Sequence, residues 1–315
     1  MPDILTFADI RAAAARIAAQ ISHTPVMRCT PLEAELGAEV FCKCENFQEM
    51  GAFKIRGATN AVLSLPTVAA ARGVATHSSG NHGAALALAA RRRGIPACVV
   101  MPENASAFKK RAVAEYGAKI IYCESSMRGR ETALQDYVTQ SGATIVHPYN
   151  DPLVMAGQGT AALELHEEIP GLELVLAPVG GGGLLSGTAV ATRALSPGCK
   201  ILGVEPLGAD DAWRSLRAGH IEPVAHPDTI ADGLRATIGP LTFEVLRTQV
   251  DEVVRVAEPA IVAAMRFVWE RMKIIIEPSA AVVLAALRER LVEVKGRRVG
   301  VILSGGNVDL DHLPW

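Results

Sequence analysis

The stretch "LELVLAPVGGGGLLSGT", residues 172–188, runs from a mostly apolar segment through four consecutive glycines into a second apolar segment. The part before the glycines reads as a strand covered on both faces, as in a parallel sheet. The part after them opens a helix. Four glycines in a row let the backbone curl tightly and aim several amides at one anion. Ligands of open α/β sheets collect at such places, beyond the carboxyl ends of strands and at helix N-termini.

The same alternation extends in both directions. Strand candidates lie at 39–45, 73–79, 97–102, 118–123, 143–148, 200–205, 252–257 and 298–304, with Ala/Leu-rich helical stretches such as "HGAALALAARRRG", "AFKKRAVAEYG" and "PSAAVVLAALRERL" between them. This pattern predicts an open, doubly wound, mainly parallel α/β fold. No repeat, low-complexity tract or flexible linker divides the 315 residues, so two lobes packed without a tether are expected.

Composition narrows the classes. Half the residues are hydrophobic and 20% are charged, a globular balance, and the net charge of −2 gives no reason to expect nucleic acid or an anionic membrane as partner. No apolar run reaches the roughly 18 residues of a membrane span. The start reads as an amphipathic helix without a signal peptide's basic and apolar regions. Six scattered cysteines without CxxC spacing read as reduced thiols of a cytoplasmic protein. Cys42 and Cys44 read as small buried hydrophobes in preference to metal ligands.

Three turns concentrate the chemistry. The glycine turn is not a P-loop, because no Lys-Ser/Thr pair follows it. Glu205 lies where a ribose-binding acid would be, yet no frame of the glycine run satisfies GxGxxG/A, so a single phosphate fits better than a dinucleotide. "THSSGNHG", residues 76–83, is a second strand-to-helix turn whose Ser78, Ser79, Asn81 and backbone amides suit a carboxylate. "VILSGGN", residues 301–307, ends a buried strand at Ser304. In "GAFKIRGATN", residues 51–60, Lys54 sits between Phe53 and Ile55. Desolvation lowers a lysine's pKa and leaves a neutral amine able to form a Schiff base with an aldehyde cofactor. Lysine, phosphate cup and carboxylate turn are together what a pyridoxal phosphate enzyme acting on amino acids needs.

"ENFQEMGAFKIRGATNAV", "THSSGNHG", "HPYNDPLVMAGQGT", "PVGGGGLLSGT", "VEPLGADDAWRS", "TIADGL", "VWERMKIIIEPSAAV" and "LSGGNVDL" occur in order. With them the chain closely resembles, over essentially its full length, the fold type II pyridoxal phosphate enzymes (tryptophan synthase β-like), within the serine/threonine dehydratase and serine racemase family. The resemblance implies a large cofactor-binding domain from residues 1–50 and 146–315, and a small domain from 51–145 bearing the carboxylate turn. It makes Lys54 the cofactor lysine and the base at Cα. Gly180, Gly181, Gly182 and Gly183 become the phosphate cup, Asn81 the partner of the ring hydroxyl, Phe53 a ring neighbour and Ser304 the partner of the pyridine nitrogen. A neutral hydroxyl there leaves the ring a weaker electron sink than an aspartate would, which favours prompt loss of a β-hydroxyl.

Ser79 lies where racemases of this family keep the acid for the opposite face of Cα. Ser78, Ser79, Asn81 and His82 match the α-carboxylate turn. Glu205, the carbonyl of Ala209, and Asp211 match a divalent cation site, suited to Mg²⁺, Ca²⁺ or Mn²⁺. Homodimerisation is expected from the family. Glu49 and Met50 replace the Lys-Thr pair that mammalian racemases use to reach a nucleotide, which argues against ATP activation.

"QEMGAFK", "ATNAV", "HPYNDP" and "NVDLDHLPW" look most like the bacterial β-hydroxyaspartate dehydratases, and Arg130 matches an arginine able to reach a second carboxylate. The expected activity is β-elimination, as dehydratase or ammonia-lyase, on 3-hydroxyaspartate, serine or threonine. The alternatives are an amino-acid racemase and, from another class, a nucleotide-binding oxidoreductase or sensor. A cofactor on Lys54 predicts an absorption band near the visible edge that Lys54→Ala abolishes; a protein that stays colourless after reconstitution with pyridoxal phosphate refutes the assignment.

Overall fold

The computed structural model describes residues 4–78, 80–105 and 107–315. Its strands are β1 (Val26–Arg28), β2 (Glu39–Cys44), β3 (Val74–His77), β4 (Ala97–Pro102), β5 (Lys119–Cys123), β6 (Thr144–Ile145), β7 (Leu174–Pro178), β8 (Lys200–Pro206), β9 (Glu252–Val256) and β10 (Arg298–Leu303). They form a six-stranded sheet in the order β1-β2-β10-β7-β8-β9 and a four-stranded sheet in the order β5-β4-β3-β6. All pairings are parallel except β1 with β2. The near-continuous apolar runs become the central strands, β7 being buried throughout and β10 at every residue but its first.

Two elements differ from the sequence reading. The strand expected over 143–148 shrinks to Thr144–Ile145, because Pro148 has no N–H for a ladder and the His147 ring accepts from the Asn150 backbone N–H at 2.9 Å. That turns the chain away from the sheet. Strand β1 is an addition to that reading; two half-buried residues and the exposed Arg28 on a sheet edge carry no period to read.

The order β2-β10-β7 reverses direction at β10, so the loops leaving these three neighbours diverge and open a crevice at their carboxyl ends. Into it run the segment holding Lys54 after β2, the glycine turn after β7, and Ser304 after β10. The register pairs Leu303 with Cys44 and Val301 with Leu176, which puts the three exits at nearly one level. Backbone-to-backbone packing fixes the helices beyond. A Cβ on Gly157 would lie 2.5 Å from the Gly57 Cα, and one on Gly187 would lie 2.4 Å from the Gly159 nitrogen. Only glycine lets helix Lys54–Ser64 settle on helix Pro152–Glu168, and that helix on Gly183–Leu195.

Two residues beyond Lys54, Arg56 is fully buried and forks to two carboxylates, Glu45 at 2.7 and 2.8 Å and Glu164 at 2.6 and 2.7 Å. Buried Lys43 adds a second cation on Glu164 at 2.6 Å and donates to the Thr24 carbonyl at 2.6 Å. Thr24 Oγ1 in turn donates to Glu45 at 2.6 Å, and Thr160 accepts from Arg56 at 3.0 Å. Two positive and two negative groups balance, with hydrogen bonds in the geometry that offsets desolvation. Replacing one member leaves the others charged and buried. Arg56→Met is therefore expected to lower stability by about 3–5 kcal/mol, read as a lower urea midpoint for loss of helical signal.

Candidate active site

Lys54 is the first residue of its helix, held there because the Phe53 N–H donates to the Ser304 carbonyl at 3.0 Å and Ala52 bridges to Gly305. Its Nζ donates to the Pro148 carbonyl at 2.8 Å and lies 5.1 Å from the centre of the Phe53 ring. The side chain keeps some contact with the cleft, yet protein surrounds it closely enough for desolvation to dominate. Its pKa falls to about 8, with Glu277 opposing the shift.

Tyr149, the residue after Pro148, lies on the glycine turn. A Cβ on Gly181 would fall 2.2 Å from its ring, and one on Gly183 3.0 Å from its Cα. One short turn thus joins the Lys54 amine to the four glycines. Gly182, at φ 88°, caps helix Gly183–Leu195 in a left-handed conformation that side chains resist, and Thr242 Oγ1 donates to the Gly181 carbonyl at 2.9 Å. Gly180 sits against Gly233 and Leu234, where a Cβ would meet backbone at 2.9 Å. Protein thus packs wherever a side chain of these glycines would stand, and what the turn can offer a ligand is a cradle of backbone amides at a helix N-terminus.

The second turn comes from the other sheet. Ser78 follows β3, and its Oγ accepts from the Gly80 N–H at 3.3 Å. Ser79 lies outside the described residues. Asn81 opens helix Asn81–Arg93; its Nδ2 donates to both oxygens of Glu277 at 3.1 Å, and its Oδ1 accepts from Asn307 Nδ2 at 3.0 Å. His82 is buried with Nε2 3.1 Å from the Val146 carbonyl. Burial, and then the Lys54 charge, press its pKa down to about 3, so the ring is neutral and Nε2 is the N–H. What His82 can offer this turn is therefore its backbone N–H.

Arg130 is half-buried on helix Met127–Ser141, with its charge and that of Glu131 acting on His77. His77, His147 and Tyr149 form an edge-to-face row, with centroids 6.1 and 4.6 Å apart. The row leads from His77, on which the Arg130 charge acts, to Tyr149 on the glycine turn. Ser304, 2% exposed, ends β10 beside the Lys54 segment. Lys109 pairs with Asp232, which adjoins the Gly233 that packs on Gly180.

Glu205, Ala209 and Asp211 come together elsewhere, after β8. Both Glu205 oxygens accept backbone N–H groups, from Ala212 at 3.0 Å and Trp213 at 2.9 Å, and Asp211 accepts from Ile238 at 2.8 Å. Burial, with Asp211 adding to it, holds the Glu205 carboxyl well above its usual range, and burial lifts Asp211 to about 6. Among the described residues no group of three or more His, Cys, Asp or Glu is placed to hold a metal ion; the trio rests on two acids and a carbonyl. The cysteines at 42 and 44 are buried and free, as expected.

Sequence reasoning missed Glu277, Asn307, Tyr149 and the Lys109–Asp232 pair. Glu277 stands immediately before Pro278 at a helix start, where an acid is ordinary; only its burial against Asn81 and Lys54 distinguishes it.

Residues 17–305 match the family model described as pyridoxal-phosphate dependent enzyme, and the chain belongs to that family. It is 48% identical to the β-hydroxyaspartate dehydratase of Paracoccus denitrificans over 99% of both chains. It is 45% identical to the L-threo-3-hydroxyaspartate ammonia-lyase of Saccharomyces cerevisiae, covering 97% of this chain and 94% of that one. The structure of maize serine racemase superimposes with a TM-score of 0.96 at 45% identity, covering 98% of this chain and 95% of that one. The expected fold type II architecture is thereby shown. The donor set fits such a cofactor: an amine with a depressed pKa for an aldehyde, and a turn of backbone amides at a helix N-terminus for one phosphate.

The direction of the Lys54 shift sets a pH dependence. A neutral amine is the species that reacts, so uptake of pyridoxal phosphate by the cofactor-free protein should quicken as pH rises through about 8 and level off above it. Stopped-flow absorbance across pH 6–10, on the order of ten points, gives the midpoint; one near the ordinary lysine value of 10.4 contradicts the assigned environment.

Proposed function

We propose that the protein catalyses β-elimination from β-hydroxy-α-amino acids, with 3-hydroxyaspartate as the preferred substrate. The observation that carries this reading is the Arg130 charge acting on His77, at one end of a row of rings whose other end, Tyr149, lies on the glycine turn. Names of relatives add to it: a β-hydroxyaspartate dehydratase and a 3-hydroxyaspartate ammonia-lyase cover nearly the whole chain. Water leaves from Cα and Cβ, and hydrolysis of the resulting imine gives oxaloacetate and ammonia. Serine and threonine give the corresponding 2-oxo acids.

When bound, the cofactor supplies a conjugated ring that takes up electron density as the Cα–H bond breaks. Lys54 would hold it through its amine and would take the proton from Cα. Backbone amides of Gly180 to Gly183 would hold the phosphate, Phe53 would pack beside the ring, Asn81 would serve the ring hydroxyl and Ser304 the ring nitrogen. Ser78, Ser79, Asn81 and the His82 N–H receive the α-carboxylate. Arg130 meets the second carboxylate, which serine and threonine lack.

A divalent cation at Glu205, Ala209 and Asp211 belongs to the same reading. It is supported by two acids whose carboxyls burial holds above their usual range, Asp211 adding to the rise of Glu205, and that a cation would return to the ionised form. We further infer a cytoplasmic homodimer, on the family's habit and the free cysteines. Serine racemisation is the second reading, favoured by the maize serine racemase likeness and by Ser79 in the sequence.

A panel of serine, threonine and the 3-hydroxyaspartate stereoisomers, followed by ammonia release and chiral product analysis, tests these readings. The expected result is fastest ammonia release from one 3-hydroxyaspartate isomer. Arg130→Ala should lower kcat/KM for that isomer by about 10–100-fold, the worth of one charge-assisted contact, while changing serine by less than about twofold. Equal losses on both substrates remove Arg130 from substrate selection, and D-serine without ammonia makes the protein a racemase.

A further inference from the structure

Glu277 has no part in the scheme above, yet it is buried at its centre. Its backbone N–H donates to the Gly305 carbonyl at 3.0 Å, on the strand end from which the Ser304 carbonyl holds the Phe53 N–H at 3.0 Å. Glu277 and Lys54 are thus pinned to adjacent residues of one strap. The carboxylate fills the space over Gly305, where a Cβ would lie 2.7 Å from its Oε1. Both of its oxygens take the Asn81 amide, and the other end of that amide accepts from Asn307, whose Nδ2 also donates to the Met50 carbonyl at 2.8 Å. Four segments therefore fix one carboxamide orientation: the loop before Lys54, the end of β10, and the starts of helices Asn81–Arg93 and Pro278–Arg288.

We propose that Glu277 is a positioning residue of this site: its carboxylate fixes the Asn81 carboxamide and is the counter-charge of the Lys54 nitrogen. The proposal rests on the reading of Lys54 as the cofactor lysine. The charged groups around the pair agree with it. Lys54 is faced by His82 and His147, both kept neutral by burial, and Glu277 is the one acid whose charge acts on it among the described residues. Glu277 itself faces Lys109, flanked by Asp232 and Arg235, as well as Lys54. Glu277 immediately precedes helix Pro278–Arg288, and its carboxylate takes the side-chain amide of Asn81, the first residue of helix Asn81–Arg93. Burial lifts its pKa to about 7, opposed by the Asn81 amide, Lys109, the Asn307 N–H and Lys54.

A negative charge beside a nitrogen favours that nitrogen's protonated form, so removing it must lower the pH at which the lysine-bound cofactor loses its proton. The test is a pH titration of the cofactor absorption band in the holoenzyme, for the wild type, Glu277→Gln and Glu277→Asp. The midpoint is expected to fall by about one pH unit or more in Glu277→Gln, roughly tenfold in proton affinity, and to stay near wild type in Glu277→Asp. An unmoved midpoint in Glu277→Gln overturns the proposal, and so does an equal fall in both variants, which would mark a structural role alone. If Glu277→Gln does not fold, Asn307→Ala decides. It loosens the amide that keeps Glu277 ionised and should move the midpoint the same way by less; no movement overturns the proposal. A band that survives Lys54→Ala refutes the cofactor-lysine reading instead, so the two failures are distinguishable.

Discussion

Lys54 can be half-desolvated and still precisely aimed because the charges two residues further along are completely satisfied. Arg56, Lys43, Glu45 and Glu164 join β2, the turn after it, helix Lys54–Ser64 and helix Pro152–Glu168 into one block. A bidentate arginine between two carboxylates tolerates little rotation, since each degree off-plane weakens four hydrogen bonds. The helix that begins at Lys54 therefore cannot slide relative to the sheet whose strands deliver the glycine turn and Ser304. An apolar cluster of the same volume would supply adhesion without that angular restraint.

The cleft divides the work between two sheets. The six-stranded sheet, through β2, β7 and β10, brings the amine, the cradle and Ser304. The four-stranded sheet, through β3 and the segments after β5 and β6, brings Asn81, Arg130 and the histidine–tyrosine row. Groups that would bind the unchanging cofactor thus stand mainly on one sheet and groups that would sort substrates mainly on the other. The Lys109–Asp232 pair and the Asn81–Glu277 contact cross between them. Relatives named for 3-hydroxyaspartate and for serine share this scaffold at similar identity. That is the pattern expected when substrate choice resides in a few side chains on one wall.

The pKa pattern gives the cleft its polarity. Burial keeps His82 and His147 neutral, lowers Lys54 towards neutrality and raises Glu277 to about 7. Groups that would be fixed charges on a surface become groups that change protonation near physiological pH, which is what proton movement at Cα requires.

Much of this was legible along the chain. Apolar runs of five to seven residues separated by helical stretches gave the parallel sheets, because strands covered on both faces have no polar side to show. The glycine run and the wedged Lys54 were visible because their neighbours in sequence are also their neighbours in space. Strand β1, the shortened β6 and the whole Glu277–Asn81–Asn307 chain were not visible, because each depends on contacts between residues far apart in sequence, Asn81 with Glu277 being 196 residues apart. Local sequence determined which residue types stand at each strand exit. Tertiary packing alone decided which exits face one another, and with that whether a lysine, a histidine or a glutamate buried there keeps its charge, since desolvation is a property of everything around a group and not of its neighbours in the chain.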